Sequence, residues 1–102
     1  MEKSQKLACF QSLCHSENLE KFYEVMEKTG AMAAHYQRYM TTQPINCDLA
    51  LQRIPDADYA LCCALMTMVL REDHFRCGSF RKRLADGSVS RLLNRILKLL
   101  SE

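Results

Sequence analysis

The sequence has little glycine and proline and no tryptophan: three glycines and two prolines occur among its 102 residues. Because both residues interrupt regular structure, their scarcity leaves long stretches free to form helices. The apolar residues recur every three or four positions, which is the helical period and not the alternation of a strand. We therefore predict an all-α fold, a single-domain bundle of about five helices around a buried helix near residues 57–72.

The sequence also lacks a long apolar run. Its longest comparable stretch, Tyr59 to Leu70, has twelve residues and includes Thr67, whereas a membrane-spanning helix needs about 20. The N-terminal residues carry neither the apolar segment nor the small-residue cleavage site of a secretion signal. We expect a cytoplasmic protein with no membrane attachment.

Cysteine, in contrast, is abundant, with six residues of this type. In a cytoplasmic protein such residues are thiols and not disulfides. Cys62 and Cys63 lie next to each other within the most apolar stretch, so we predict that both are buried.

Capping residues indicate helix boundaries in the N-terminal half. Ser4 is predicted to cap the first helix, and Ser16 to cap a second helix from about Glu17 to Thr29. Gly30 suits the end of that helix. Residues 31–45 fit either a further helix or a turn.

Similar signals divide the C-terminal half. Asn46 is predicted to cap a short helix that runs through Ile54, and Asp56 to cap the helix after it. That helix is apolar on nearly every side from Tyr59 to Leu70, which is typical of a helix enclosed by its neighbours. The remaining predicted helices are Ser79 to Ala85 and a last helix that begins at Ser88, with an apolar leucine face opposite a polar stripe.

Residues with chemical functions crowd into "LREDHFRCGSF", residues 70–80. His74 and Cys77 lie one helical turn apart and raise two hypotheses, a zinc site and a cysteine nucleophile. A structural zinc site needs four ligands, and no second His/Cys pair supplies the rest. A nucleophile needs an oxyanion hole and a group that orients its base, and the sequence shows neither. We therefore expect no metal, no cofactor and no enzymatic activity.

The alternative interpretation of this stretch is a corner between two helices. On that view Phe75 and Cys77 face inward. Arg71 and Asp73 form hydrogen bonds or ion pairs with the polar groups that helix ends leave unsatisfied.

Positive charge is concentrated in the C-terminal third. Arg71 to Glu102 contain eight basic and four acidic residues, and Met1 to Leu70 contain six basic and eight acidic residues. "LADGSVSRLLNRI" looks like the second half of a helix-turn-helix, although Arg83 stands where such proteins usually need a small residue. Nucleic-acid binding is therefore one hypothesis. The candidate interaction surface comprises His74, Arg81, Arg83, Arg91, Arg95 and Lys98.

From about Phe22 to Leu97 the chain resembles a family of small bacterial proteins classed as a domain of unknown function. The residues that carry the resemblance lie in two stretches. "LMTMVLREDHFRCGSF" contains Arg71, Asp73, Phe75 and Gly78, and "LADGSVSRLLNRI" contains Gly87, Leu92, Leu93 and Arg95. His74 departs from the family pattern, which usually has arginine there, and "AAHYQRYM" lacks the tryptophan often found in that stretch. The resemblance implies an all-α fold, a bacterial origin and a structural role for the motif residues, and it implies no biochemical function.

Together these features favour a non-enzymatic interaction or regulatory module. Its partner is a protein that the sequence does not identify, and a homodimer is one form that this interaction could take. Nucleic-acid binding through the basic C-terminal third is the alternative.

Overall fold

Helices are the only regular elements of this chain. The computed structural model describes all residues 1–102 and confirms the all-α prediction. Its helices are α1 (Lys3–Gln11), α2 (Leu19–Lys28), α3 (Cys47–Leu51), α4 (Tyr59–Phe75), α5 (Ser79–Ala85) and α6 (Ser88–Ser101), with short 3₁₀ helices at Tyr36–Tyr39 and Ile54–Asp56.

Helix α4 forms the centre of the core, as predicted. All of its residues from Cys62 to Leu70 are buried, and α2, α3, α5, α6 and the first 3₁₀ helix pack against it. Helix α6 directs Leu92, Leu93, Ile96 and Leu100 inward, and α1 packs mainly on α6. No helix of the chain has both the length and the apolarity that crossing a bilayer requires.

Two predicted caps in the N-terminal half are wrong. Helix α1 begins at Lys3, whereas a cap at Ser4 would make Gln5 its first residue. The cap is Glu2, whose backbone N–H donates to the Gln5 side chain at 2.8 Å. Helix α2 is capped by Asn18, and not by Ser16, because the Asn18 side chain accepts from the Glu20 backbone at 2.9 Å. In both places a nearby residue satisfies the free N–H groups of the first turn.

The cap of α4 is Asp58 and not Asp56. Its carboxylate accepts a hydrogen bond from the Leu61 backbone N–H at 2.8 Å. Asp56 does not cap α4 because it is the last residue of the second 3₁₀ helix, Ile54–Asp56, which also contains Pro55. Asn46 caps α3 as predicted, but α3 ends at Leu51 and not at Ile54.

Residues 31–45 are mostly irregular and contain only the one-turn 3₁₀ helix Tyr36–Tyr39. Hydrogen bonds to side chains hold this segment in place. The backbone N–H of Ala33 donates to Thr67 Oγ1 in α4 at 3.0 Å, and Arg53 donates to the Tyr39 carbonyl. The segment therefore lies along α4 without forming a regular helix.

Candidate functional site

The corner between α4 and α5 is organised by Asp73. Its Oδ1 accepts from the backbone N–H groups of Gly78, at 3.2 Å, and Phe80, at 3.0 Å. Gly78 has a φ of +91°, a left-handed conformation that only glycine adopts at little cost. Asp73 thus makes the backbone contacts predicted for it, whereas Arg71 is exposed and makes no hydrogen bond or ion pair.

The prediction that Phe75 and Cys77 face inward is wrong. Phe75 is 84% exposed, and Cys77 is also exposed. Phe75 follows buried Met68 by seven residues, which is nearly two full helical turns, so both side chains lie on one face of α4. Phe75 lies about 10 Å farther along the axis of α4 than Met68. It therefore lies beyond the elements that cover Met68.

A groove of about 690 Å³ lies beside Phe75. Its volume is within the range of ligand-binding clefts. One side is α4, with Met68, Glu72, Phe75 and Arg76, and the other side is formed by residues 36–37 and 43–48. We call this cavity the Phe75 groove. The lining residues of its second side are Tyr36, Gln37, Gln43, Pro44, Ile45, Asn46, Cys47 and Asp48.

Arg83 connects the two sides of the Phe75 groove. Its Nε and Nη2 donate to Glu72 at 3.0 and 2.9 Å, and its Nη1 donates to Asp48. These hydrogen bonds raise the pKa of Arg83 above its already high ordinary value, and those to Glu72 contribute most. Arg83 was expected on the interaction surface. Its side chain is instead only 13% exposed and joins α5 to α4 and α3.

The other residues of the predicted interaction surface do not form one patch. Arg95 is also partly buried, and its Nε donates to the Ala57 carbonyl at 2.9 Å. Arg91 is exposed and makes long contacts, at 3.4 Å, with the Asp86 carbonyl and Ser88. The residues that remain exposed without hydrogen bonds lie on three different helices, and they are His74, Arg81 and Lys98.

Gly87 connects α5 to α6 with a φ of +86°. A Cβ there would lie 3.2 Å from Arg91 Nη1, at the end of a flexible side chain. The left-handed backbone, more than the lack of space, therefore explains glycine at this motif position. Helix α5 has seven residues, and its Arg83 points into ion pairs with α3 and α4, which differs from a helix-turn-helix packing.

The thiols of this chain are all free. Cys47 lines the Phe75 groove, and burial, followed by the neighbouring Glu72, raises its pKa to about 11. Burial also raises the pKa of Cys62 to about 12 and of Cys63 to about 11. Cys47 is thus protonated near neutral pH and is a weak nucleophile. No three His, Cys, Asp or Glu side chains lie close enough together to hold a metal ion.

Alkylation of Cys47 should therefore rise steeply with pH. Only the thiolate reacts, so with a pKa of about 11 the rate should increase about tenfold per pH unit between pH 7 and 10. Mass spectrometry of the iodoacetamide-treated chain measures this rate, and circular dichroism verifies that the chain stays folded. A rate that levels off below about pH 10, as for a thiol of ordinary pKa, would contradict the raised pKa.

A second cavity, of about 510 Å³, lies where α2 meets α5. Two of its polar side chains already have partners. Asn18 caps α2, and Asp73 accepts hydrogen bonds from two backbone N–H groups at the start of α5. The Phe75 groove, with its exposed aromatic ring, is therefore the stronger candidate for a functional site.

Sequence reasoning missed most of the Phe75 groove. Of its lining residues only Phe75 and Asn46 were singled out, Phe75 as a core residue and Asn46 as a helix cap. The seven-residue spacing from Met68 to Phe75 was the available signal for a shared face. The opposite side lies mainly in residues 31–45, whose irregular conformation has no periodic pattern to detect.

No curated protein and no solved structure matches this sequence. A family model, described as a family of unknown function, matches residues 1–102. This match confirms the resemblance to a family of unknown function and extends it over the whole chain. The chain therefore belongs to the family of unknown function DUF6508.

Proposed function

We propose that this chain is a non-enzymatic interaction module that binds a protein partner in the Phe75 groove. The observation that carries the proposal is the 84% exposure of Phe75 at the edge of a 690 Å³ groove. Aromatic residues are enriched among the few side chains that dominate protein interfaces. An exposed ring beside a recess provides both an anchor and room for the partner's side chains.

The composition of the groove supports a peptide-like occupant. Tyr36, Pro44 and Ile45 provide apolar contacts, and the amide side chains of Gln37 and Gln43 make no hydrogen bonds within the chain. Such amides can donate to and accept from a peptide backbone. Binding sites of this type combine an apolar lining with a few polar groups that fix orientation.

The raised pKa of Cys47 also favours binding over catalysis. Cys47 is the only thiol in the groove, and near neutral pH it lacks the thiolate that a nucleophile requires.

Site-specific photo-crosslinking in the native host tests this proposal. The photoreactive amino acid p-benzoylphenylalanine replaces Phe75 in one variant and Tyr39, which is 43% exposed, in the control. We expect discrete protein adducts at position 75 that are absent at position 39. Where the adduct contains a different host protein, excess wild-type chain should suppress it by competition, and excess Phe75→Ala chain should not. Equal adducts at both positions, or none at position 75, would refute the proposal.

Nucleic-acid binding has less support. Two of the cations proposed for it, Arg83 and Arg95, donate to acceptors within the chain. The cations that remain exposed include Arg81, Lys82 and Lys98. Retention on duplex DNA over a range of salt concentrations distinguishes the two functions, because binding to phosphates falls steeply as salt increases.

A further inference from the structure

We propose that the occupant of the Phe75 groove is a second copy of this chain. In this symmetric dimer, the Phe75 ring of each copy inserts into the groove of the other. The inference rests on the proposed function, because it specifies the partner for the same surface.

The shape of the surface meets the requirement of twofold symmetry. A twofold interface uses the same patch of both subunits, so that patch must carry both a projection and a recess. Here Phe75 projects from the end of α4, and the groove lies directly beside it. A twofold axis that passes between the ring and the groove places each ring opposite the other copy's recess.

The charges of the groove are also self-complementary. Arg76 lies on the α4 side, is exposed and has no ion pair. Asp48 lies on the opposite side with a side chain that is 81% exposed, and only its Oδ1 bonds to Arg83. In the dimer, Arg76 of each copy faces the free Oδ2 of Asp48 in the other copy. A net charge of only +2 gives little repulsion between copies.

The area that the rings bury agrees with a dissociable dimer. An aromatic side chain buries about 150–250 Å², so two rings contribute about 300–500 Å². Stable interfaces bury about 1,200–2,000 Å² in total. The rings thus contribute about a quarter of a stable interface, so we expect a weak dimer that dissociates on dilution. Each copy has its own core, so the monomer should also fold.

Sedimentation equilibrium of the full chain tests the dimer. The wild type should show a concentration-dependent change from one chain to two. Phe75→Ala should weaken association about 10³-fold, because a major anchor is worth about 30-fold and occurs twice in the interface. Tyr39→Ala should leave association unchanged. Equal association of Phe75→Ala and wild type would overturn the proposal.

A charge exchange tests the arrangement independently of Phe75. Arg76→Asp and Asp48→Arg should each weaken association, because each alone places like charges opposite one another. A mixture of the two variants should associate again, because both pairs are then restored in the mixed dimer. Circular dichroism verifies that each variant is folded. Failure of the mixture to associate would overturn this arrangement.

The two proposals fail in different ways. A wild-type chain that stays monomeric at about 1 mM, a concentration at which even weak complexes form, would overturn the second-copy inference. Specific adducts of the position-75 variant with another protein in the host would then still support the proposed function. Absence of both results would refute both proposals.

Discussion

Replacing Arg83 with methionine should lower the free energy of unfolding by about 3–5 kcal/mol. Arg83 is the only cation that pairs with Glu72, whose side chain is 8% exposed. Without Arg83, Glu72 keeps a largely buried negative charge that neither water nor an ion pair stabilises. Urea denaturation of the wild type and of Arg83→Met measures the difference.

Two further variants separate the roles of the two carboxylates that bind Arg83. Asp48→Asn should cost less than about 1 kcal/mol, because the Asp48 side chain is 81% exposed and water screens the pair. Adding Glu72→Leu to Arg83→Met should recover much of the loss, because it removes the unpaired charge. If Arg83→Met is as mild as Asp48→Asn, the ion pair with Glu72 does not stabilise the fold.

Replacing Phe22 with alanine should lower the free energy of unfolding by about 3–5 kcal/mol. Phe22 is 1% exposed, and its ring packs edge to face on Phe80, with 5.2 Å between the ring centroids. The substitution leaves a cavity between α2 and α5 and removes this aromatic contact. Because small domains are stable by about 5–15 kcal/mol, the loss is a large fraction of the total.

Phe75→Ala is the matched control for Phe22→Ala. It makes the same chemical change at a side chain that is 84% exposed, so the free energy of unfolding should change by less than about 0.5 kcal/mol. Thermal unfolding at a concentration low enough to keep the chain monomeric compares the two variants. A similar loss for both would mean that Phe75 is packed in solution. A small effect for Phe75→Ala also qualifies this variant for the binding experiments.

The sequence predicted the core better than the surface. Helix α4 was identified because a helix with apolar residues on all of its faces is stable only in the protein interior. The starts of α5 and α6 followed from serines after glycines, and the structure places both helices there. Burial and periodicity are properties of single elements, so one sequence is sufficient to reveal them.

Apart from the shifted helix caps, the errors lie where distant segments meet. Arg83 looked like a surface cation, because only the fold brings α3 and α4 within reach of its guanidinium. Phe75 looked like a core residue, because the sequence does not show where the elements that cover α4 end. The second side of the groove, residues 36–37 and 43–48, is positioned by the packing of the 3₁₀ helix Tyr36–Tyr39 on α4 and by the Asp48–Arg83 ion pair. These features depend on tertiary structure, and a local pattern such as the spacing from Met68 to Phe75 shows a shared helix face but not what covers it.

The two sides of the Phe75 groove differ in their dynamics, and Thr67 connects them. Its buried hydroxyl donates to the Cys63 carbonyl and accepts from Ala33, which ties the irregular segment to α4. Helix α4 itself opens only when the whole core does, since all residues from Cys62 to Leu70 are buried. The irregular segment is held by a few hydrogen bonds and by apolar side chains that are mostly only partly buried, so it should open locally at lower free energy than α4. The width of the groove should therefore fluctuate mainly through movement of the irregular segment. A partner that holds the two sides together would protect the backbone amides of the irregular segment from hydrogen exchange.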